Sequence, residues 1–194
     1  MPTVNSPQPP MGIFIPATEF IFPNGTWTLT RTAAGNYYYL KTAGAATTNP
    51  AVNISKAIHR LFPVFSAGLV SPNVPQGAEV QEGGLFTGFD LIYSIATANL
   101  TSLTPLLYEV AYANNVAPAV TSPGGAIVTY PTAGATIPIA IQTNPYNALF
   151  ALSTPYDICQ NQNATDDWIE IAVVDPGTSV FGLYGIALKF QANH

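Results

Sequence analysis

Charge is what this sequence has least of. Of 194 residues, five are Lys or Arg and ten are Asp or Glu, so 8% of the chain is charged, against about 25% in a typical soluble domain. The net charge is -5, and the cations Arg31, Lys41, Lys56, Arg60 and Lys189 are scattered. Binding nucleic acid through phosphates takes clustered cations. Only Lys56, His59 and Arg60 lie together, and that trio reads as a solvated loop or short turn, so no nucleic-acid partner is expected. Cysteine occurs once, as Cys159, so one chain cannot form an internal disulfide. Long apolar runs are missing too. A membrane helix takes ~20 such residues in a row, whereas the stretches Leu149 to Leu152 and Ile169 to Val174 are short and interrupted. No membrane partner is expected.

Disorder is excluded by what is present. The chain carries 10 Tyr, 10 Phe and 2 Trp and is 48% hydrophobic, and disordered segments are poor in aromatic and β-branched residues. That leaves a folded domain with a surface of Thr, Asn, Ser, Gln, Ala and Tyr. Surface charge of one sign keeps copies of a protein apart. A surface with so little of it suits a subunit that spends its life in contact.

The length fits one domain, since all-β sandwiches of ~200 residues are routinely single domains. Residues 1 to 12 contain four prolines and read as an extended arm, with residues 13 to 194 as a single β-sandwich. Met1 to Met11 has neither a cationic start nor an apolar core of signal-peptide type, so synthesis in the cytoplasm without general export is expected. The Asn-x-Ser/Thr triplets at Asn24, Asn53, Asn99 and Asn163 then read as chance.

Eighteen Pro and 15 Gly punctuate the chain. Between them lie short, alternating, β-branched or aromatic segments, the pattern of a sandwich or barrel. Ile13 to Phe22 reads as a strand pair broken at Pro16. Thr26 to Arg31 and Asn36 to Lys41 read as a hairpin across Ala34-Gly35-Asn36. Further strands are expected at Phe89 to Thr97, Leu106 to Tyr112, Ala126 to Tyr130, Ile137 to Ile141, Tyr146 to Thr154, Trp168 to Val174 and Val180 to Phe190. In the last, Val180, Tyr184, Ile186, Leu188 and Phe190 share one face by the period of two. Long loops are expected at Thr42 to Ala51, Ser66 to Gly84 and Ala113 to Pro123. Asn53 to Phe62 places Ile54, Ile58, Leu61 and Phe62 at helical spacing before Pro63; a strand is the alternative. The expected fold is all-β: a two-sheet antiparallel sandwich, jelly-roll-like, of about eight to ten strands with at most one short helix.

Catalysis takes a base or acid, a nucleophile or a metal. His59 has no orienting carboxylate near it in sequence, and His194 is the last residue given. Cys159 sits beside Asp157, which works against a thiolate. Asp166, Asp167 and Glu170 form the best candidate for an ion or acid/base site, but without calcium-loop spacing. A glycosidase pair needs two acids from different strands, and nothing in the sequence selects two. Gly83-Gly84 and Gly124-Gly125 lack the Lys-Ser/Thr of a phosphate loop. Tyr37, Tyr38 and Tyr39 offer a sugar-stacking platform, although neighbours on a strand face opposite ways, so at most two share a side. No catalytic, cofactor-binding or metal residue is assigned, no cofactor is expected, and an enzyme is not expected.

Phe89 to Leu100 (FDLIYSIATANL), Leu149 to Pro155 (LFALSTP), Asp167 to Glu170 and Thr178 to Gly185 (TSVFGLYG) succeed one another in a rhythm that resembles small β-sandwich structural proteins of tailed-phage and related environmental viruses: decoration, fibre and jelly-roll capsid-type subunits. The resemblance covers roughly the last half of the chain and carries no functional residue. It implies a jelly-roll-like sandwich, a homo-oligomer with a trimer favoured, and a place in the virion. The Pro-rich front, Ile13 to Pro23, departs from that pattern and reads as an added docking arm.

The leading expectation is therefore a non-enzymatic, self-assembling virion subunit, partnered by itself and a larger particle. A lectin-like glycan-binding module using Trp27 or Tyr37 is the second. A hydrolase using scattered acids is the third.

Overall fold

A computed structural model describes residues 11–22, 27–42, 49–54, 84–111, 115–121, 139–157, 165–174 and 179–192. Among these, the β-branched and aromatic segments form ten strands. They are β1 (Met11–Pro16), β2 (Trp27–Arg31), β3 (Tyr37–Lys41), β4 (Ala51–Asn53) and β5 (Gly84–Ala96). Then come β6 (Ser102–Ala111), β7 (Ala119–Thr121), β8 (Gln142–Asp157), β9 (Thr165–Val174) and β10 (Val180–Ala192). A 3-10 turn at Ala17–Glu19 succeeds β1, because Pro16 cannot carry the ladder onward. The break at Pro16 is as expected. Beyond it the chain makes this turn and a single bridge from Ile21 to Ala51, not a second strand.

The strands make two antiparallel sheets. Sheet A has the order β2-β3-β10-β5-β8, with β1 also alongside β10, and sheet B has the order β4-β9-β6-β7. The pairs are nested: β3 with β10, β4 with β9, β5 with β8 and β6 with β7. Successive pairs alternate between the sheets, and β10·β5 and β9·β6 join them within each sheet. A ribbon of paired strands wound this way is the jelly roll. The chain is thus an all-β two-sheet sandwich, as its composition and rhythm predict. The β2–β3 hairpin is also as expected, with Trp27 opposite Lys41 and Arg31 opposite Tyr37.

The core lies between the sheets. Sheet A contributes Phe86, Phe89, Leu91, Tyr93, Ile95, Phe150, Phe181 and Leu183, and sheet B contributes Leu103, Leu107, Ile169, Ile171 and Val173. Burying one such side chain contributes about 1.5–3 kcal/mol. Aromatic contacts tie neighbouring strands. Phe181 stacks on Tyr93 at 5.6 Å and meets Trp27 edge-on at 6.1 Å. Phe89 stacks on its cross-strand partner Phe150 at 5.5 Å.

Two bulges change which residues face inward. On β10, Leu183 pairs with Tyr93 and Gly185 with Ile92, so Tyr184 is an extra residue. The buried set is therefore Phe181 and Leu183, then Ile186, Leu188 and Phe190. The unbroken period of two that put Val180 and Tyr184 on the face of Ile186 is corrected by this bulge. Gly185 sits there with φ +151°, and a Cβ would come 2.5 Å from the Ile15 carbonyl oxygen. On β5, Thr87 is the extra residue against β10, next to Gly88 at φ +141°.

Other expectations shift. Met11 and Gly12, expected in the arm, belong to β1 and pair with Phe190 and Lys189; residues 1–10 lie outside the described residues. The loop expected at Ala113 to Pro123 contains β7, which pairs with the last residues of β6. Residues 139–141, expected to be strand, are not; there Ile139 O accepts the Leu100 N–H at 2.8 Å. β8 runs longer than Tyr146 to Thr154, through Pro145 and Pro155, which an edge strand tolerates because its outer N–H groups need no ladder partner. The expected helix begins at Asn53, the end of β4, and Ile54, which is helical; its remainder, residues 55–62, lies outside the described residues. Ala126 to Tyr130 lies outside them as well.

Candidate functional site

Asp167 and Glu170 do not converge. Asp166, Asp167 and Glu170 all lie within β9, and a strand sends odd and even residues to opposite faces. Asp167 is 2% exposed and faces inward, like Ile169 and Ile171. Glu170 is half-buried on the outer face of sheet B, where the Asn49 side-chain amide donates to its Oε1 at 2.5 Å. Burial, and then the Glu170 charge, push the Tyr108 phenol above its ordinary value.

A different carboxylate pair comes together instead. Glu109 on β6 is the cross-strand partner of Asp167 on β9. Tyr156, near the end of β8 in the opposite sheet, has its hydroxyl 3.3 Å from Asp167 Oδ1 and 3.4 Å from Glu109 Oε2. One phenolic proton serves both acceptors, so the cluster is a polar tie between the two sheets. Burial is the main cause that pushes the Tyr156 phenol well above its usual range, and the charges of Asp167 and Glu109 add to it. The sequence hid this trio, because its members come from three strands whose pairing only the jelly-roll winding sets.

The tyrosine run divides between faces, as alternation requires. Tyr39 stacks on Phe22 at 3.8 Å against the core. Tyr38 stacks on Tyr184 at 4.7 Å on the outer face of sheet A. Tyr37 is exposed, with the Arg31 guanidinium 5.7 Å from its ring centroid. Trp27 is 7% exposed, between Phe22 and Phe181. Its place in a surface glycan platform is therefore corrected: it is a core side chain.

Two surface features stand out. The first is an open depression of about 530 Å³ on sheet A, whose lining includes Phe14, Ile92, Pro145, Tyr184 and Tyr37 with Thr18, Thr32 and Asn36. Among the described residues, no charged side chain lines it. Nearby on the same face, Lys189 and Asp90 pair at 2.9 Å and cancel each other. The second is the edge strand β8, which has no charged residue from Gln142 to Tyr156 and pairs regularly with β5 over Tyr146 to Ala151, between two register shifts. Among the described residues, no strand pairs with its outer side.

Lys56, His59, Arg60, Gly83, Gly124, Gly125, Cys159 and His194 lie outside the described residues. Gly84 opens β5. Among the described residues, no three of His, Cys, Asp and Glu are grouped as metal ligands would be. Comparison with protein-family models, curated proteins and solved structures finds no match to this chain.

Proposed function

We propose that this protein is a non-enzymatic structural subunit that assembles with copies of itself, as a capsid, decoration or fibre component of a virion. The observation that carries the reading is the uncharged edge strand β8. Monomeric sandwiches guard long edges with charge, bulges or cover, because a bare edge recruits another strand. Pro145, Pro155 and two register shifts against β5 interrupt the ends of β8, and the regularly paired stretch between them, Tyr146 to Ala151, has neither proline nor charge. Edge pairing and burial of apolar surface between copies would then be the means of assembly. The jelly-roll winding supports the reading, since viral coat domains use it, but lectins and cupins use it too.

The rival reading is glycan binding at Tyr37. An exposed Tyr beside Asn36, both lining an open depression, favours it. A glycan screen separates the two. Glycan binding that Tyr37→Ala abolishes, by a protein that stays monomeric, would replace the assembly reading.

A further inference from the structure

Resting on that assembly reading, we infer that the depression on sheet A receives the proline-rich segment Met1–Pro10 of a second copy of this chain. The lining is the first reason. Proline-rich segments in the polyproline II form dock on grooves of aromatic rings with few hydrogen-bonding groups at the rim. Phe14, Tyr37 and Tyr184 supply rings, Pro16, Ile92 and Pro145 supply apolar surface, and Thr18, Thr32 and Asn36 supply hydrogen-bonding groups. No described lining group carries charge, and none of the ten residues MPTVNSPQPP has a charged side chain.

The direction of β1 is the second reason, and it selects a second copy over the same one. β1 runs from Met11, opposite Phe190, to Pro16, opposite Gly185. Its Pro16 end borders the depression beside Tyr184, and its Met11 end lies five residues away, about 17 Å along the strand. The chain before Met11 therefore enters β1 from the end far from the depression. Pro9 and Pro10 directly precede Met11, and proline there favours extended backbone over the reversal that a return path requires. Ten residues of polyproline II span about 31 Å, enough to cross from one copy to the next.

The test places a photo-crosslinking residue at Thr3 of the full chain and mixes isotopically light and heavy copies before irradiation. Light-to-heavy crosslinks into the segments holding Tyr37 or Tyr184 are expected. Tyr37→Ser should lower their yield at least tenfold, with the circular dichroism spectrum unchanged. An assembled protein whose crosslinks fall elsewhere, or only within one copy, overturns this inference and leaves the assembly reading standing. A protein that is monomeric by light scattering and gives no crosslink between copies overturns both. Glycan binding at Tyr37 that the free peptide MPTVNSPQPP cannot displace also overturns it.

Discussion

Gly88→Ala, set against Gly12→Ala, is a matched pair of added methyl groups in one sheet. At Gly88, φ is +141°, and the new Cβ would lie 2.2 Å from the Phe150 carbonyl oxygen and 2.9 Å from the Ala151 Cα. Both are backbone atoms of β8, so no side chain can swing aside. A non-glycine residue in such a conformation costs about 1–3 kcal/mol, and overpacking that shifts backbone costs about 1–3 kcal/mol more. The two together give a loss of about 2–6 kcal/mol, a large part of a typical stability of ~5–15 kcal/mol. At Gly12 the nearest atom to the new Cβ is the Leu188 carbonyl oxygen at 3.6 Å, an ordinary contact, and a change within about 0.5 kcal/mol is expected. Urea unfolding followed by circular dichroism reads both as midpoint shifts at a common slope. In heating, the Gly88 variant should melt several degrees lower, at roughly 2–4 °C per kcal/mol for a chain of this size. Equal midpoints for the two variants would refute the bulge geometry where β5 meets β8.

Three further outcomes are expected. Trp27→Ala should cost about 3–5 kcal/mol in thermal or urea unfolding, because the ring is core; an unchanged midpoint with lost glycan binding would contradict its burial. Tyr156→Phe should cost about 1–2 kcal/mol at neutral pH, at the weak end for hydrogen bonds to charged groups because both are long. The folded phenol titrates above its ordinary value near 10, so its contribution is intact below that pH and drains as pH rises toward the folded value. The stability gap between wild type and Tyr156→Phe should therefore narrow above pH 10, and a gap that widens there would be contrary. Asn147→Lys with Leu149→Lys puts two charges on exposed positions of the regularly paired stretch of β8; dissociation on gel filtration with an unchanged circular dichroism spectrum is expected, and undiminished assembly would exclude that edge.

Fold class was legible because alternation, β-branching and Pro/Gly punctuation are local properties. The β2–β3 hairpin was legible for the same reason, with its turn chemistry at Gly35. Tyr184 shows where such reading stops. A bulge inserts one residue and inverts every later side chain, and nothing in the run Val180 to Phe190 except Gly185 marks it. β7 was missed because three residues become a strand only when β6 offers an edge. The Glu109, Asp167 and Tyr156 tie was out of reach because strand order decides it. Trp27, which the second expectation would use for glycan, is a core side chain, because composition does not say which face of a strand an aromatic ring takes. The low charge of the surface was legible in composition; the charge-free lining around Tyr184 and Phe14 was not.

The native mass of the purified protein, by light scattering across a wide concentration range with negative-stain images of the same sample, tests the central claim most directly. Three or more copies of the 20.5 kDa chain, as closed oligomers, shells or filaments, are what the account predicts. A monodisperse 20.5 kDa species at the highest concentrations would contradict it.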